Sequence, residues 1–404
     1  MYQMLNGLTV IEASSFVASP TAGLYLAQMG AEVIRIDQIG GGPDFRRWPR
    51  AANGASLYWE NLNRAKKSVA LDLTRPEGRA LMQALATSTG QFLTNFPVAG
   101  FLSHETLAAN RHDLVTIRIM GQADGGPALD YTVNAAVGIP QLTGPPSLGD
   151  TPVNHVLPAW DLLTGAYAAF ALMTALHHRT VTGAGGEIRI PLADVAIASL
   201  ANLGMVAEVA GAGQDRERLG NTVYGAFGRD FVTADGQRLM IMAITPRQWR
   251  GLVTVLNIAD EIRTIEKTRR ISFDTDEGVR FAHRDALFPL VEARVFHRNH
   301  HELTTALDAN GCCFGTYQTL RDAVSDPALV TDNPIFTAMT GNPSTLAYPA
   351  AGAMGTIPAQ DRQPATPAPR LGADTDAMLE RLLGLSPTEI GALHDSGIIG
   401  GPVA

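Results

Sequence analysis

Short apolar runs alternate with stretches of helical character from residue 8 to residue 121. The apolar runs are LTVIEASS, AEVIRID, SVALDL, QFLTNF and DLVTIRIMG. Between the first two lies ASPTAGLYLAQMG, a small-residue segment with helical character that ends at Gly30. Buried strands that alternate with helices imply a mostly parallel, doubly wound sheet. The pattern therefore predicts an α/β fold.

A strongly apolar helix, DLLTGAYAAFALMTALHHR, is predicted to begin at Asp161 and to end near Gly183. Apolar residues cover nearly its whole circumference, a pattern typical of a helix buried on both sides, by the core or by another subunit. From its position alone, Asp161 is a cap that accepts hydrogen bonds from the first turn. A carboxylate there can also stay ionised through the helix dipole and attack an acyl group. The pattern leaves both roles open.

The pattern changes after residue 210. Residues 1–210 are predicted to form the first part of a Rossmann-like large domain, and residues 211–228 a linker. Residues 229–325 open with the hairpin DFVTADGQRLMIMAIT and predict a smaller α+β domain. Residues 326–404 are predicted to be a linker that returns to the large domain. Within them, the Pro-, Ala- and Gly-rich stretch 343–369 suits an extended crossing over a surface.

Composition narrows the possible partners and the compartment. The net charge of −8 gives no general field that would attract nucleic acid or an anionic membrane, so we predict neither partner. The longest apolar stretch, 166–176, falls short of the roughly 20 residues that span a bilayer. The N-terminus does not have the pattern of a signal peptide. The two cysteines, Cys312 and Cys313, are adjacent and cannot join distant segments, which favours a reducing cytoplasm.

Two kinds of cofactor site are not expected. The first βα turn, SSFVASPTAG, lacks the G-x-G-x-x-G pattern that brings a backbone close to a pyrophosphate, although Asp37 ends the second strand where an acidic residue could bind a ribose. The histidine-rich segment FHRNHHE is polar and suits a solvated helix end better than a metal site. We therefore predict neither a dinucleotide cofactor nor a metal ion.

Several segments together resemble class III CoA-transferases over nearly the whole chain. They are GLTVIEASSFVASP, GAEVIRID with its glycine loop, NRAKKSVALDL, WDLLTGAYAAFALMTAL and APRLGADTDAML. The resemblance implies a CoA thioester as substrate, no prosthetic group, and an interlocked homodimer. It also implies that Asp161 is the catalytic nucleophile, which carries the acyl group and then CoA.

The resemblance also places contacts with CoA. The implied positions are Val17, Ala18, Leu71, Asp72, Leu73, Asn95, Phe96, Pro97, Asp130 and Tyr131. For the CoA phosphates, the basic candidates are Arg46 and Arg47, together with the NRAKKS segment. Such basic clusters are more often solvated surface. Many family members have an arginine near the position of Ser103, and the oxalate enzyme has a glycine-rich lid; neither is evident here.

Further segments, among them NHVLPAWD and GNTVYGAFGRDF, resemble an intramolecular transferase of the family. This implies that CoA moves from one carboxyl of a methyl-branched unsaturated C4 diacid to the other. Tyr224, Phe227 and Arg229 are substrate-pocket candidates, with Arg229 suited either to the free carboxylate or to a structural ion pair.

Three alternatives remain. One is an intermolecular transferase of the same fold. Another is an acyl-CoA racemase, which needs a second acid/base, commonly a histidine, and GQADGGPALDYTVN contains none. The last is a non-enzymatic CoA-binding protein.

Overall fold

The computed structural model describes residues 1–402. Its strands are β1 (Thr9–Ala13), β2 (Glu32–Gln38), β3 (Lys67–Leu71), β4 (Gln91–Thr94), β5 (Val115–Met120), β6 (Gly186–Pro191), β7 (Phe227–Val232), β8 (Arg238–Ala243), β9 (Cys313–Thr316), β10 (Phe336–Met339), β11 (Tyr348–Ala351) and β12 (Ile399–Gly400). Its helices are α1 (Ala18–Gln28), α2 (Leu57–Leu62), α3 (Pro76–Ser88), α4 (His104–Ala108), α5 (Asp130–Ala136), α6 (Ile139–Leu142), α7 (Ala159–Thr182), α8 (Leu192–Asn202), α9 (Met205–Ala212), α10 (Pro246–Leu256), α11 (Ala259–Arg269), α12 (Glu277–Ala282), α13 (Arg284–Phe296), α14 (His300–Ala309), α15 (Leu320–Ser325), α16 (Thr375–Leu383) and α17 (Pro387–Asp395).

The chain divides into two compact units. The large unit contains Met1–Val137, His155–Gly211 and residues 327–402, and the small unit contains Gly138–Asn154 and Ala212–Asp326. Each unit has a sheet and an apolar core of its own.

The large unit is built on a seven-stranded sheet in the order β12-β3-β2-β1-β4-β5-β6. All neighbouring strands run parallel except β12, which pairs antiparallel with β3. The predicted α/β fold with a parallel central sheet is confirmed. Strand order reverses between β1 and β4, and in doubly wound sheets ligands bind at the carboxyl ends of the strands beside this reversal.

The strands of this sheet are apolar at successive positions because helices cover both of its faces. Successive residues point to opposite faces, so Val10 and Leu93 join one core cluster while Ile11 and Phe92 join the other. The first cluster includes side chains of α1 and α7, and the second includes side chains of α3, α16 and α17.

Helix α7 packs closely on α1. A side chain at Gly165 would place its Cβ only 2.6 Å from the carbonyl oxygen of Ala18, so glycine allows the two backbones to approach. With 24 residues, α7 is longer than the apolar stretch seen in the sequence and is long and apolar enough to cross a bilayer. One face of the helix, with Thr164, Ala168 and Leu172, is buried within the large unit.

The small unit contains the antiparallel sheet β7-β8-β9 with its helices packed around an aromatic core. Residues 138–154, which the sequence placed in the large domain, belong to this unit instead. The reason is Arg218, whose guanidinium donates to the carbonyl oxygens of Gln141, Thr151 and Pro140 at 2.9, 2.9 and 3.2 Å. A long-range bond of this kind leaves no local pattern in the sequence.

The C-terminal crossing returns to the large unit. After the β10–β11 hairpin, the chain is extended and the backbone N–H of Gln363 donates to the carbonyl of Met1 at 2.8 Å. The buried carboxylate of Glu60 accepts from the backbone and hydroxyl of Ser344 and from the hydroxyl of Tyr348. These bonds hold the crossing against α2 of the same unit.

Candidate active site

A cavity of about 730 Å³ opens at the carboxyl ends of β1, β4 and β5. It is lined by residues 15–18, 95–98, 119–121 and 123–129, together with Asp161, Arg189 and Leu192. This is the crevice that the reversal of strand order creates between β1 and β4. Its walls are mainly loops and the starts of α1 and α7, as expected for a small-molecule site in an open α/β sheet.

The loop after β1 is held rigidly at the edge of this cavity. The side chain of Asn95, in the loop after β4, accepts from the backbone N–H of Ser15 at 3.3 Å and donates to its carbonyl at 3.0 Å. Phe16 adopts a left-handed backbone with φ of 67°, which is strained for a non-glycine residue. Its N–H donates to the buried carboxylate of Asp44 at 3.1 Å, and Arg35 binds the same carboxylate oxygen at 3.0 Å.

Asp161 lies in the first turn of α7 and lines the cavity. The capping interpretation is wrong. The helix begins at Ala159, and no side chain at its N-cap position makes a capping bond. Within residues 1–402, no donor hydrogen-bonds to the carboxylate of Asp161. That group is therefore not consumed in holding the fold.

A different carboxylate binds the start of α7. One oxygen of Asp130 accepts from the backbone N–H groups of Trp160 at 2.7 Å and Asp161 at 3.1 Å. The other oxygen lies 3.2 Å from Nε2 of His155. The indole of Trp160 donates to Asn134 at 3.1 Å. The α5 residues Asp130 and Asn134 thus fix the backbone that carries Asp161.

Burial raises the pKa of Asp161 to about 6, and the negative charge of Asp130 adds to this effect while Arg47 opposes it. From the sequence we expected the helix dipole to keep this carboxylate charged. The shift has the opposite direction because desolvation and a neighbouring like charge outweigh the dipole. A carboxylate with a pKa about 6 is still mostly ionised at neutral pH. It is also more basic, and therefore a better nucleophile, than an exposed aspartate.

A family model described as CoA-transferase family III matches residues 5–375. The chain belongs to this family. It is 43% identical to a 2-methylfumaryl-CoA isomerase of Chloroflexus aurantiacus, over 100% of this chain and 99% of that protein. It is 31% identical to a succinate–glutarate CoA-transferase of Agrobacterium fabrum, over 80% of this chain and 82% of that protein. The chain is accordingly an enzyme of the CoA-transferase type.

A solved structure has the same fold. A CAIB/BAIF family protein from Brucella suis superposes with a TM-score of 0.76 at 26% sequence identity, over 95% of this chain and 100% of that chain. The resemblance predicted from sequence motifs is therefore confirmed at the level of the family and of the α/β architecture.

For a CoA-transferase, the predicted CoA contacts fall into two groups. Those that line the cavity with Asp161 are Val17, Ala18, Asn95, Phe96 and Pro97. Leu71, Asp72 and Leu73 lie instead at the end of β3 and outside the residues that line the cavity. Leu71 is completely buried, and the Asp72 carboxylate accepts from the backbone and hydroxyl of Thr74. Contacts of these three with CoA stay a prediction.

The carboxylate of Asp130 binds the start of α7 and contacts His155, and a contact of Asp130 with CoA stays a prediction. The hydroxyl of Tyr131 donates to the carbonyl of Val156 at 2.9 Å. His155 was not among the sequence candidates. The only hint was its place in NHVLPAWD, shortly before the nucleophile, and the sequence cannot show its contact with Asp130.

Some of the basic residues proposed to bind the CoA phosphates are buried, and others are exposed. In the NRAKKS segment, the buried Lys66 ammonium pairs with Glu12 at 2.8 Å, and the buried Arg64 donates to Asn61 at 2.8 Å. These two cations hold the fold and are not available to phosphates, so that part of the prediction is wrong. Arg46 and Arg47 are exposed.

The three substrate-pocket candidates in the small unit have different surroundings. Phe227 is completely buried in the core beside Trp249 and Phe288, so its assignment to a substrate pocket is wrong. The guanidinium of Arg229 pairs with Glu292 at 3.3 Å, the ion-pair alternative. The half-exposed ring of Tyr224 packs against Phe281, and a contact with substrate stays a prediction.

Proposed function

We propose that this enzyme moves CoA within one molecule, converting 2-methylfumaryl-CoA to 3-methylfumaryl-CoA. The observation that carries the transferase chemistry is Asp161, which lines the cavity and whose carboxylate has no hydrogen-bond donor from residues 1–402. The isomerase from C. aurantiacus supports the choice of substrate, since the similarity covers all of both chains. Such a reaction would serve the 3-hydroxypropionate cycle of carbon fixation, in the cytoplasm.

In the first half of the reaction, the Asp161 carboxylate attacks the thioester carbonyl of the substrate. The C–S bond breaks, CoA leaves as a thiolate, and a mixed anhydride links the aspartate to the acyl group. The thiolate then attacks the aspartyl carbonyl. This gives an aspartyl-CoA thioester and releases the diacid as a dianion.

The second half reverses these steps with the other end of the diacid. Its second carboxylate attacks the aspartyl carbonyl, the thiolate leaves again, and a second anhydride forms. Attack of the thiolate on the acyl carbonyl gives the product thioester and restores the Asp161 carboxylate. Proton and electron counts balance without a prosthetic group or metal ion.

Every tetrahedral intermediate needs donors for its oxyanion. The start of α1 offers them, because no side chain caps this helix and its first residue, Ala18, lines the cavity. The loop with Gly125 and Gly126 lines the same cavity and can bring further backbone N–H groups to the reacting carbonyl. Water must be excluded during these steps because it would hydrolyse both anhydrides.

Chromatographic separation of the thioesters tests the substrate, and mass spectrometry of the protein tests the mechanism. The enzyme is incubated with 2-methylfumaryl-CoA as the sole acid, with and without hydroxylamine. We expect the isomeric thioester without hydroxylamine and a hydroxamate on Asp161 with it. If product formed only after a second acid was added, the enzyme would be an intermolecular transferase. A hydroxamate at another residue would overturn the assignment of the nucleophile.

One observation favours a second candidate, an acyl-CoA racemase. The segment GQADGGPALDYTVN contains no histidine, but the fold brings His155 from another segment to Asp130. Racemisation exchanges the α-proton of a thioester with solvent, whereas the proposed transfer breaks no C–H bond. The α-carbon of 2-methylfumaryl-CoA carries no hydrogen, so the test uses a saturated 2-methyl thioester, 2-methylbutyryl-CoA, in D₂O. We expect no deuterium at its α-carbon; incorporation there would favour the racemase.

We also propose that the enzyme is a homodimer. The side of α7 that faces away from α1 exposes Leu163, Tyr167, Phe170 and Met173. An exposed apolar row of this size is typical of an interface. Light scattering after gel filtration should give twice the chain mass of 42.9 kDa.

A further inference from the structure

Arg47 is fixed in position from two sides. Its backbone N–H donates to the carbonyl of Asp44 at 3.1 Å, and the carboxylate of Asp44 holds the N–H of Phe16 at the cavity edge. Its carbonyl accepts from the hydroxyl of Ser56 at 2.6 Å, and Ser56 caps helix α2, which carries Tyr58. The backbone of Arg47 is therefore tied both to the loop after β1 and to α2.

The side chain of Arg47 lies against the aromatic rings of the same two elements. Its guanidinium carbon is 5.6 Å from the ring centre of Phe16 and 5.3 Å from that of Tyr58. Both distances allow an attractive cation–π contact. Phe16 lines the cavity, and the hydroxyl of Tyr58 is buried without a hydrogen-bond partner in the described chain.

The charge of Arg47 is not neutralised by the protein. No carboxylate of residues 1–402 lies within ion-pair distance of its guanidinium, although its positive charge acts on Asp161. Arg189, which lines the cavity, is different. Its guanidinium lies 2.6 Å from Glu187 and 3.8 Å from Glu105.

We propose that Arg47 binds the carboxylate of the substrate that is not joined to CoA. This inference rests on the proposed function, because only a diacid thioester carries such a carboxylate. The released diacid has two negative charges, and Arg47, which borders the cavity through its contact with Phe16, supplies an uncompensated positive charge that would help to retain it. A guanidinium can hold a carboxylate through two parallel hydrogen bonds, and stacking on two rings fixes its orientation.

This role makes Arg47 a determinant of substrate class. It predicts that the monothioester of a dicarboxylic acid acylates Asp161 faster than a thioester of the same shape without the second carboxylate. Tiglyl-CoA is such a probe, since a methyl group replaces the distal carboxylate of 2-methylfumaryl-CoA at the same double-bond geometry. A role in binding CoA phosphates, by contrast, would affect both thioesters equally.

The test compares Arg47→Gln and Arg47→Lys with the wild-type enzyme. Initial rates of hydroxamate formation at Asp161 are measured with 2-methylfumaryl-CoA and with tiglyl-CoA. We expect Arg47→Gln to slow the diacid thioester by about 30-fold and tiglyl-CoA by less than about threefold, because hydrogen bonds between charged groups contribute about this much to binding. Arg47→Lys should recover part of the loss. Arg250→Gln removes an exposed cation that pairs with Asp274 in the small unit, and it should leave both rates unchanged.

Equal losses with the two thioesters, or no loss with either, would overturn the proposal. Trapping measures acylation alone, so the comparison remains decisive even if the enzyme proves to need a second acid for turnover. In that case the intramolecular function fails, while the preference for a diacid thioester still reports on Arg47.

Discussion

Two sets of charged residues in the large unit differ in one respect, the pairing of their charges. The ionic cluster, formed by Glu12, Arg35, Asp37, Asp44 and Lys66, is buried between β1, β2 and the start of β3. In it, Lys66 pairs with Glu12 at 2.8 Å, and Arg35 pairs with Asp37 at 2.9 Å and with Asp44 at 3.0 Å. The active-site charges, Asp161, Asp130 and Arg47, include a carboxylate without a donor and a guanidinium without a carboxylate partner in residues 1–402.

Titration alone does not distinguish the two sets. Burial raises the pKa of Asp37 to about 6, as it does that of Asp161. The Asp37 carboxylate, however, accepts from Nε of Arg35 with both oxygens, at 2.9 and 3.0 Å. A perturbed pKa is therefore a weak sign of catalysis in this protein. The unfilled hydrogen-bonding capacity of Asp161 is the stronger sign, because a nucleophile must be free to form a new bond.

The largest expected effect is on activity, through Asp161→Asn. Loss of the nucleophile should lower the rate of CoA transfer by about 10⁴-fold or more, since no covalent intermediate can form. The measurement is chromatographic assay of the isomeric thioesters, with circular dichroism to show that the variant is folded. Substantial remaining turnover would mean that the reaction does not pass through an aspartyl intermediate.

The ionic cluster should respond to Glu12→Gln with a loss of stability. Removing this charge leaves Lys66 buried without its carboxylate, and breaking a buried pair from one side costs about 3–5 kcal/mol. The urea midpoint of the variant should fall clearly. The control is Glu77→Gln, which breaks an exposed pair with Arg75 and should cost less than about 1 kcal/mol. Equal shifts for the two variants would show that the buried pair of Lys66 with Glu12 contributes no more to stability than an exposed pair.

The same distinction predicts that Asp161→Asn gains stability at neutral pH. The ionised carboxylate is disfavoured in the folded state, where burial raises its pKa from the usual 3.8 to about 6. This penalty is absent below pH 3.8, grows as pH rises, and is complete above pH 6. The variant should therefore be more stable than the wild type by up to about 3 kcal/mol at pH 7.5 and by about half of that at pH 5. Thermal midpoints at the two pH values measure the difference, and a gain that does not depend on pH would contradict this origin.

The sheet could be predicted from the sequence because its signal is local. Strands buried on both faces, such as β1 and β5, are continuous apolar runs, and helices separate them. The role of Asp161 came from the resemblance to a family, since its position alone favoured a helix cap. The pairing of Lys66 with Glu12 could not be predicted, because the two residues lie on different strands or loops and the basic segment looks like solvated surface. The same holds for the bond from Asp161 to Asp130, which lies 31 positions away.

Asp130 is a hydrogen-bonded carboxylate whose charge acts on the unpaired carboxylate of Asp161. In Asp130→Asn, the amide oxygen can still accept from the backbone of α7, but the like charge beside Asp161 is gone. The loss of a charged cap should cost about 1 kcal/mol of stability. The pKa of Asp161 should fall, so the acidic limb of the pH–rate profile should move below pH 6.

Asp124→Asn is the control, since this carboxylate binds the N–H of Gly126 in the cavity loop and is not among the charges that shift the pKa of Asp161. The acidic limb of the pH–rate profile of Asp124→Asn should stay at the pH found for the wild-type enzyme. A limb that does not move in Asp130→Asn would show that burial alone sets the basicity of the nucleophile, and a loss of activity as large as that of Asp161→Asn would give Asp130 a part in the chemistry itself.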